Sequence, residues 1–154
     1  MAGETETRLR ELGIELPVTP APVANYVPTV ESRGFLYISG QISIRPDGER
    51  VVGRLSSPKD VENGRKGAEI CAVNLIAQAK AALGELDRVS RVVKLTGFVN
   101  SAPEFVEQPK VINGASDLFV AVFGERGKHA RSSIGVAALP FNATVEVEAI
   151  LEIA

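Results

Sequence analysis

The chain is poor in the residues that most often build reactive centres. It has one cysteine, Cys71, one histidine, His129, and no tryptophan in 154 residues. A single cysteine excludes an intrachain disulfide framework, and with one histidine it cannot supply a structural zinc site. Aromatic residues make up 5% of the chain, too few for a platform on which single-stranded nucleic acid stacks. A basic surplus is missing as well: 17 Lys and Arg stand against 19 Asp and Glu, a net charge of −2. Broad binding to phosphate backbones or anionic membranes needs the opposite balance. No apolar run approaches the ~20 residues that span a bilayer. The opening Met1-Ala-Gly-Glu-Thr-Glu6 is acidic, unlike a signal peptide. There is no Gly-rich phosphate loop, no G-x-S-x-G elbow and no His/Asp/Glu cluster at metal-ligand spacing. These absences lead to the expectation of a cytoplasmic protein that uses neither metal nor cofactor and binds neither membrane nor nucleic acid.

What is present suits a packed core. The chain is 45% hydrophobic and 23% charged, ordinary globular usage, and its length fits one domain. Residues 1–16 are expected as an N-terminal extension, a short helix and then an extended run, before a single domain over 17–154. Pro17-Val-Thr-Pro-Ala-Pro-Val-Ala-Asn25 is too rich in proline for a helix and is expected as an extended linker delivering Tyr26. Phe35 to Ile44 has strand composition, and Gly40 within it marks a bulge or a close approach to the backbone. After the turn Pro46-Asp-Gly48, Val51 to Leu55 is expected to return as a second strand. Ser57-Pro58 opens a helix whose apolar stripe is Val61, Ala68, Ala72, Leu75, Ile76, Ala79 and Leu83, stopped at Gly84. Cys71 lies beside this stripe and is expected as a small buried hydrophobe. A strand over Arg91 to Val99 follows. A second helix from Gln108-Pro109 carries Ile112, Ala115, Leu118, Phe119, Val122 and Phe123, with Gly124 as its cap. Ser132 to Ala138 and Thr144 to Ile153 are the last strands. In the latter, Val145, Val147, Ala149, Leu151 and Ile153 alternate with a largely acidic set. The expected order is β-β-helix-β-helix-β-β, an α+β arrangement with both helices on one face of a mixed sheet. The other face then needs a partner, most simply another copy of the chain.

Two charged side chains stand out. Arg131, entering one strand, has the planar fork that grips a carboxylate at two oxygens. Glu146, on the next strand, could orient a water for attack. On the residues alone, the favoured reading is the plainer one, that Arg131 and Glu146 pair with each other or that both face solvent.

An ordered set of motifs decides between these readings. Tyr26-Val27, Ile38-Ser-Gly-Gln41, Val93-Lys94, Phe98-Val99, Asn113, Ala130-Arg-Ser-Ser-Ile-Gly-Val-Ala-Ala-Leu-Pro140 and Val145-Glu-Val-Glu-Ala149 together resemble the Rid/YjgF family. These are the reactive intermediate deaminases, also known as perchloric-acid-soluble proteins or "translation inhibitors". The closest resemblance is to a longer branch with an N-terminal extension. The resemblance implies a chorismate-mutase-like fold, a mixed sheet with two helices on one face, assembled as a homotrimer with clefts between subunits. It implies hydrolysis of enamines and imines such as 2-aminoacrylate to 2-oxo acids and ammonia, with a small carboxylated metabolite as ligand. By the same resemblance Arg131 clamps the substrate carboxylate and Glu146 positions the hydrolytic water. Tyr26 closes the cleft, Ser39 and Gly40 line it, and Asn113 stands near it on the second helix. Ser133 falls where many members have a cysteine whose backbone contacts the substrate. Two other roles are compatible with the family: a non-catalytic trimer that binds small carboxylates, and a ribonuclease or translation inhibitor. The chain departs from the family at Ala24-Asn25 before the tyrosine, at Gly135, and at His129, where a proline is usual. His129 is expected as an exposed loop residue, with a proton-shuttling role as the alternative because it lies two positions from Arg131.

Overall fold

The computed structural model describes residues 3–21 and 24–154. Its elements run α1 (Glu4–Glu11), β1 (Thr29–Ser32), β2 (Phe35–Ile42), α2 (Val61–Leu83), β3 (Val89–Asn100), α3 (Gln108–Phe123), β4 (Ala130–Val136) and β5 (Val145–Ile153). The strands form one sheet in the order β1-β2-β5-β3-β4. β1–β2, β2–β5 and β5–β3 pair antiparallel, while β3 and β4 pair parallel. A parallel neighbour needs a crossover of a dozen residues or more, and α3 supplies it. The architecture is therefore α+β with a mixed sheet, as expected.

The alternation read in the last strand sets the layers. Val145, Val147, Ala149, Leu151 and Ile153 of β5 are buried, together with Leu36, Ile38, Leu95 and Val99 from the neighbouring strands. Against them lie Ala68, Ala72, Leu75, Ile76 and Ala79 of α2 and Ile112, Ala115, Phe119 and Val122 of α3. Cys71 is buried within this core. Ser57 caps the turn ahead of α2: its Oγ accepts from the Lys59 amide at 3.2 Å, while the Asp60 carboxylate accepts from the Ser57 amide at 3.1 Å. The reciprocal pair satisfies donors that a helix start leaves open, and a 3-10 turn over Pro58–Asp60 leads into the helix. Gly84 ends it at φ 81°, a left-handed conformation that glycine adopts without strain.

Three expectations are corrected. The layer of two helices gains a third, α1, whose Leu9 joins the core. Its docking is polar as well as apolar: the Thr5 hydroxyl donates to Asp87 at 2.6 Å, and Lys80 pairs with Glu6 at 2.8 Å. Val51–Leu55 is not a sheet strand. Gly53, at φ 108°, breaks it, and its amides go to three places: Val51 to Ser43, Gly53 to Asn142 and Leu55 to Asn100. The first strand is instead Thr29–Ser32, joined to β2 through Arg33 and Gly34 at φ 51° and 82°. Two left-handed residues in succession match the twist of paired strands, which lets so short a connection close. The linker expected over 17–25 falls partly on residues 22–23, which lie outside the described residues, and 17–21 carry no helix or strand.

The helices leave one sheet face bare. It presents Phe35, Tyr37, Phe98, Ile134 and Ile150, with Tyr37 45% and Ile134 46% exposed in the single chain.

Candidate functional site

Arg131 stands on the edge strand β4 in register with Leu95 of β3. Residues in register point to the same side, so Arg131 shares the helix side with the buried Leu95. Three residues of α3 meet it there. Its Nη1 donates to Asn113 Oδ1 at 2.8 Å and to Ser116 Oγ at 3.1 Å, and its Nη2 reaches the Pro109 carbonyl at 3.4 Å. Asn113 and Ser116 are three apart, hence neighbours on one helix face. Among the described residues no carboxylate pairs with Arg131. Burial lowers the guanidinium pKa somewhat, and the Asp117 charge opposes the shift; the group stays cationic.

Ser116 also links Arg131 to His129. Its Oγ lies 2.9 Å from His129 Nε2, and His129 Nδ1 lies 2.6 Å from the Gly127 carbonyl. A carbonyl only accepts, so Nδ1 carries the proton and Nε2 accepts from the serine. Burial pushes the imidazole pKa below its usual value; the Gly127 hydrogen bond opposes this and the Arg131 charge adds to it. His129 is therefore not the exposed loop histidine expected from the sequence. The edge of its ring meets Phe119, with centroids 6.4 Å apart, and Ser116 fixes its far nitrogen. Ser116, Val120, Lys128, His129 and Arg131 line a shallow cleft of about 250 Å³. Ser133, in register with Gly97, also points to the helix side, and its hydroxyl is buried without a hydrogen-bond partner among the described residues.

The other candidates gather elsewhere. The register of β2 against β5 slips between Ile38 and Gln41, so Ser39 and Gly40 form the irregularity expected at this glycine. The Ser39 amide and hydroxyl both donate to the Pro28 carbonyl, at 2.9 and 3.2 Å. This ties down the segment that carries Tyr26, which is 63% exposed. A Cβ on Gly40 would lie 2.8 Å from Glu146 Cδ, so only glycine admits the carboxyl at this distance. Glu146 alternates with the buried Val145 and Val147 and is in register with Ile42 and Phe98, which puts it on the bare face. Burial raises its carboxyl pKa above the usual range, and the neighbouring Glu148 charge adds to the shift. Tyr26, Ser39 and Gly40, with Asn74 and Gln78 of α2, line a cavity of about 320 Å³.

Within one chain the expected residues thus divide into two clusters, Arg131–Asn113–Ser133 and Tyr26–Ser39–Gly40–Glu146. Arg131 and Glu146 do not pair within one chain, because strand alternation sends them to opposite faces. Ser116 was absent from the residues singled out in the sequence; its spacing of three from Asn113 was the available signal.

A family model described as "YjgF/chorismate_mutase-like, putative endoribonuclease" matches residues 6–153. The chain belongs to this family. The YjgF-family chain is 49% identical over 153 residues to Protein TCP17 of Trypanosoma cruzi, covering 99% of this chain and 96% of that protein. It is 30% identical over 141 residues to the 2-iminobutanoate/2-iminopropanoate deaminase of Dermatophagoides farinae, covering 91% of this chain and 94% of that one. The crystal structure of Atu1372 from Agrobacterium tumefaciens, of unknown function, is 52% identical and superposes with a TM-score of 0.88 over 97% of this chain and 92% of the other. The YjgF motifs that carried the sequence resemblance occupy both clusters: the segment through Arg131 builds one, and Ile38–Gln41 with Glu146 builds the other.

Proposed function

We propose that this YjgF-family chain hydrolyses small carboxylated imines and enamines of the 2-aminoacrylate kind to 2-oxo acids and ammonia, in clefts that neighbouring copies of a homotrimer complete. The observation that carries this reading is the state of Arg131. Its Nη1 is spent on Asn113 and Ser116, no acid neutralises it among the described residues, and its Nε makes no hydrogen bond there. A half-buried cation whose Nε is free and whose Nη2 makes only a long contact to the Pro109 carbonyl is suited to a carboxylate. The deaminase of Dermatophagoides farinae, matched over 91% of this chain, carries substrates of that shape in its name. The trimer is supported by the apolar side chains on the bare face, of which Tyr37 and Ile134 are nearly half exposed. It is also supported by the separation of the clusters, since a second copy could bring Glu146, Gly40 and Tyr26 opposite Arg131.

The chemistry asks little of the protein. An enamine first gains a proton at carbon to become the imine, whose C=N carbon is electrophilic. Arg131 holds the carboxylate, which fixes that carbon in place. Glu146 takes a proton from water as its oxygen adds, giving a carbinolamine, and returns a proton to nitrogen. Glu146 then carries the carbinolamine hydroxyl proton to nitrogen, the C–N bond breaks, ammonia leaves and the carbonyl forms. The raised pKa of Glu146 suits it to both halves of this exchange.

A trimer that only binds carboxylates would keep the clamp without turnover, and it is separated by the same experiment. The ribonuclease reading ranks below both, because a chain of net charge −2 lacks the cationic footprint of an RNA-binding surface. Oxo-acid release is followed while a dehydratase generates 2-aminoacrylate or 2-iminobutanoate in situ. Wild-type protein is expected to accelerate release. Arg131→Ala should lose the acceleration by about 100-fold or more, and Arg131→Lys should not restore it, because an ammonium lacks the fork. Glu146→Gln should lose turnover yet still be stabilised by a small 2-oxo acid in thermal melts. Stabilisation without turnover in the wild type would leave the binding trimer as the function.

A further inference from the structure

We infer that Ser116 and His129 are positioning residues that orient the Arg131 fork toward a substrate carboxylate. The inference rests on the clamp reading above and adds to it the device that aims the clamp. Arg131 Nη1 has two hydrogens, and the structure uses both, one on Asn113 Oδ1 and one on Ser116 Oγ. With both fixed, the guanidinium plane cannot swing; Nη2 keeps one long contact to the Pro109 carbonyl at 3.4 Å, and Nε, with no partner among the described residues, leads the edge left for a ligand.

The serine can accept from Arg131 only if its own hydrogen points elsewhere. His129 ensures this. Nδ1 donates to the Gly127 carbonyl, so Nε2 must accept, and the Ser116 hydroxyl donates to it. The chain Arg131 → Ser116 → His129 → Gly127 carbonyl runs in one donor direction, and each bond polarises the next. Without the imidazole acceptor the serine hydrogen is free to rotate toward the guanidinium and oppose it. The charges nearest this chain are occupied with other partners: Asp117 pairs with Arg65 at 3.3 Å and Lys128 with Glu125 at 2.9 Å. Neither competes for the Arg131 fork, so its orientation is set by Asn113, the Pro109 carbonyl and the Ser116 hydroxyl that the imidazole holds in its accepting state.

The inference gives both residues a role only through Arg131, so their effect should fall on carboxylate binding and leave the chemical step alone. The test measures calorimetric Kd for 2-oxobutanoate and for its amide, with kcat from the in situ imine assay. Ser116→Ala and His129→Ala are each expected to weaken 2-oxobutanoate binding and raise KM about tenfold, the worth of a charge-assisted hydrogen bond. They should leave kcat within about twofold of wild type and amide binding unchanged. Ser116→Thr, which keeps the hydroxyl, and His129→Gln, which keeps an acceptor, should recover most of the affinity. Ser116→Ala and His129→Ala proteins with wild-type Kd, beside an inert Arg131→Ala, would overturn the inference and leave the clamp standing. A fall in kcat at unchanged KM would overturn it equally. An Arg131→Ala protein with wild-type turnover would instead remove the clamp reading itself. Thermal midpoints confirm folding, and if one alanine variant does not fold the other decides the matter.

Discussion

The Glu146 carboxyl is half-buried, has no cation paired with it among the described residues, and shares its strand face with Glu148. Both surroundings favour the protonated form. Activity and stability should therefore respond to pH in opposite senses at this residue. As the base, Glu146 must be ionised, so kcat/KM should fall as pH drops through its raised pKa, above the ordinary carboxylate range. Folding shows the reverse. Between the unfolded and raised folded values the native state binds the extra proton, so the stability contributed by this group is present at low pH and lost as pH rises through the folded pKa. Subtracting the Glu146→Gln pH–stability curve from the wild-type curve isolates that slope; a difference that does not vary with pH would show the carboxyl to be unperturbed. Glu146 and Arg131 were legible in the sequence because strand alternation and an ordered motif mark them. Gly40 was legible because glycine inside a strand signals a close approach. The link through Ser116 to His129 was not, because it depends on how α3 docks against β4, which spacing within either element does not reveal.

At the scale of elements, the clamp depends on the seat of α3. Gly114, between Asn113 and Ser116, lies with its Cα directly against the Arg65 carbonyl of α2, where an added Cβ would overlap backbone. Backbone cannot yield as a side-chain tip can. Gly114→Ala should therefore push α3 away, cost about 1–3 kcal/mol in denaturant unfolding, and weaken oxo-acid binding by displacing its two neighbours. Retained stability and binding would show that α3 is set by its apolar face alone. That face, with the α2 stripe and the caps at Ser57, Gly84 and Gly124, was readable because helix periodicity and end signals are local. The errors lie where pairing is non-local and segments are short. Thr29–Ser32 becomes a strand only through its turn with β2, and Val51–Leu55 has strand composition but sends its amides to three separate partners.

At the scale of the whole molecule, the sheet separates the two charges that the proposed reaction uses. Arg131 lies on the helix side and Glu146 on the bare side, so no cleft draws both from one chain. It follows that two defects should compensate. Arg131→Ala chains and Glu146→Gln chains, each inert alone, can be unfolded together and reassembled in equal amounts. With random association about a quarter of the junctions would then receive an intact arginine from one parent and an intact glutamate from the other. Recovery of oxo-acid release in such hybrids, absent when the separately folded proteins are merely combined, would show that the catalyst is shared between protomers and that two broken copies can lend each other the missing half.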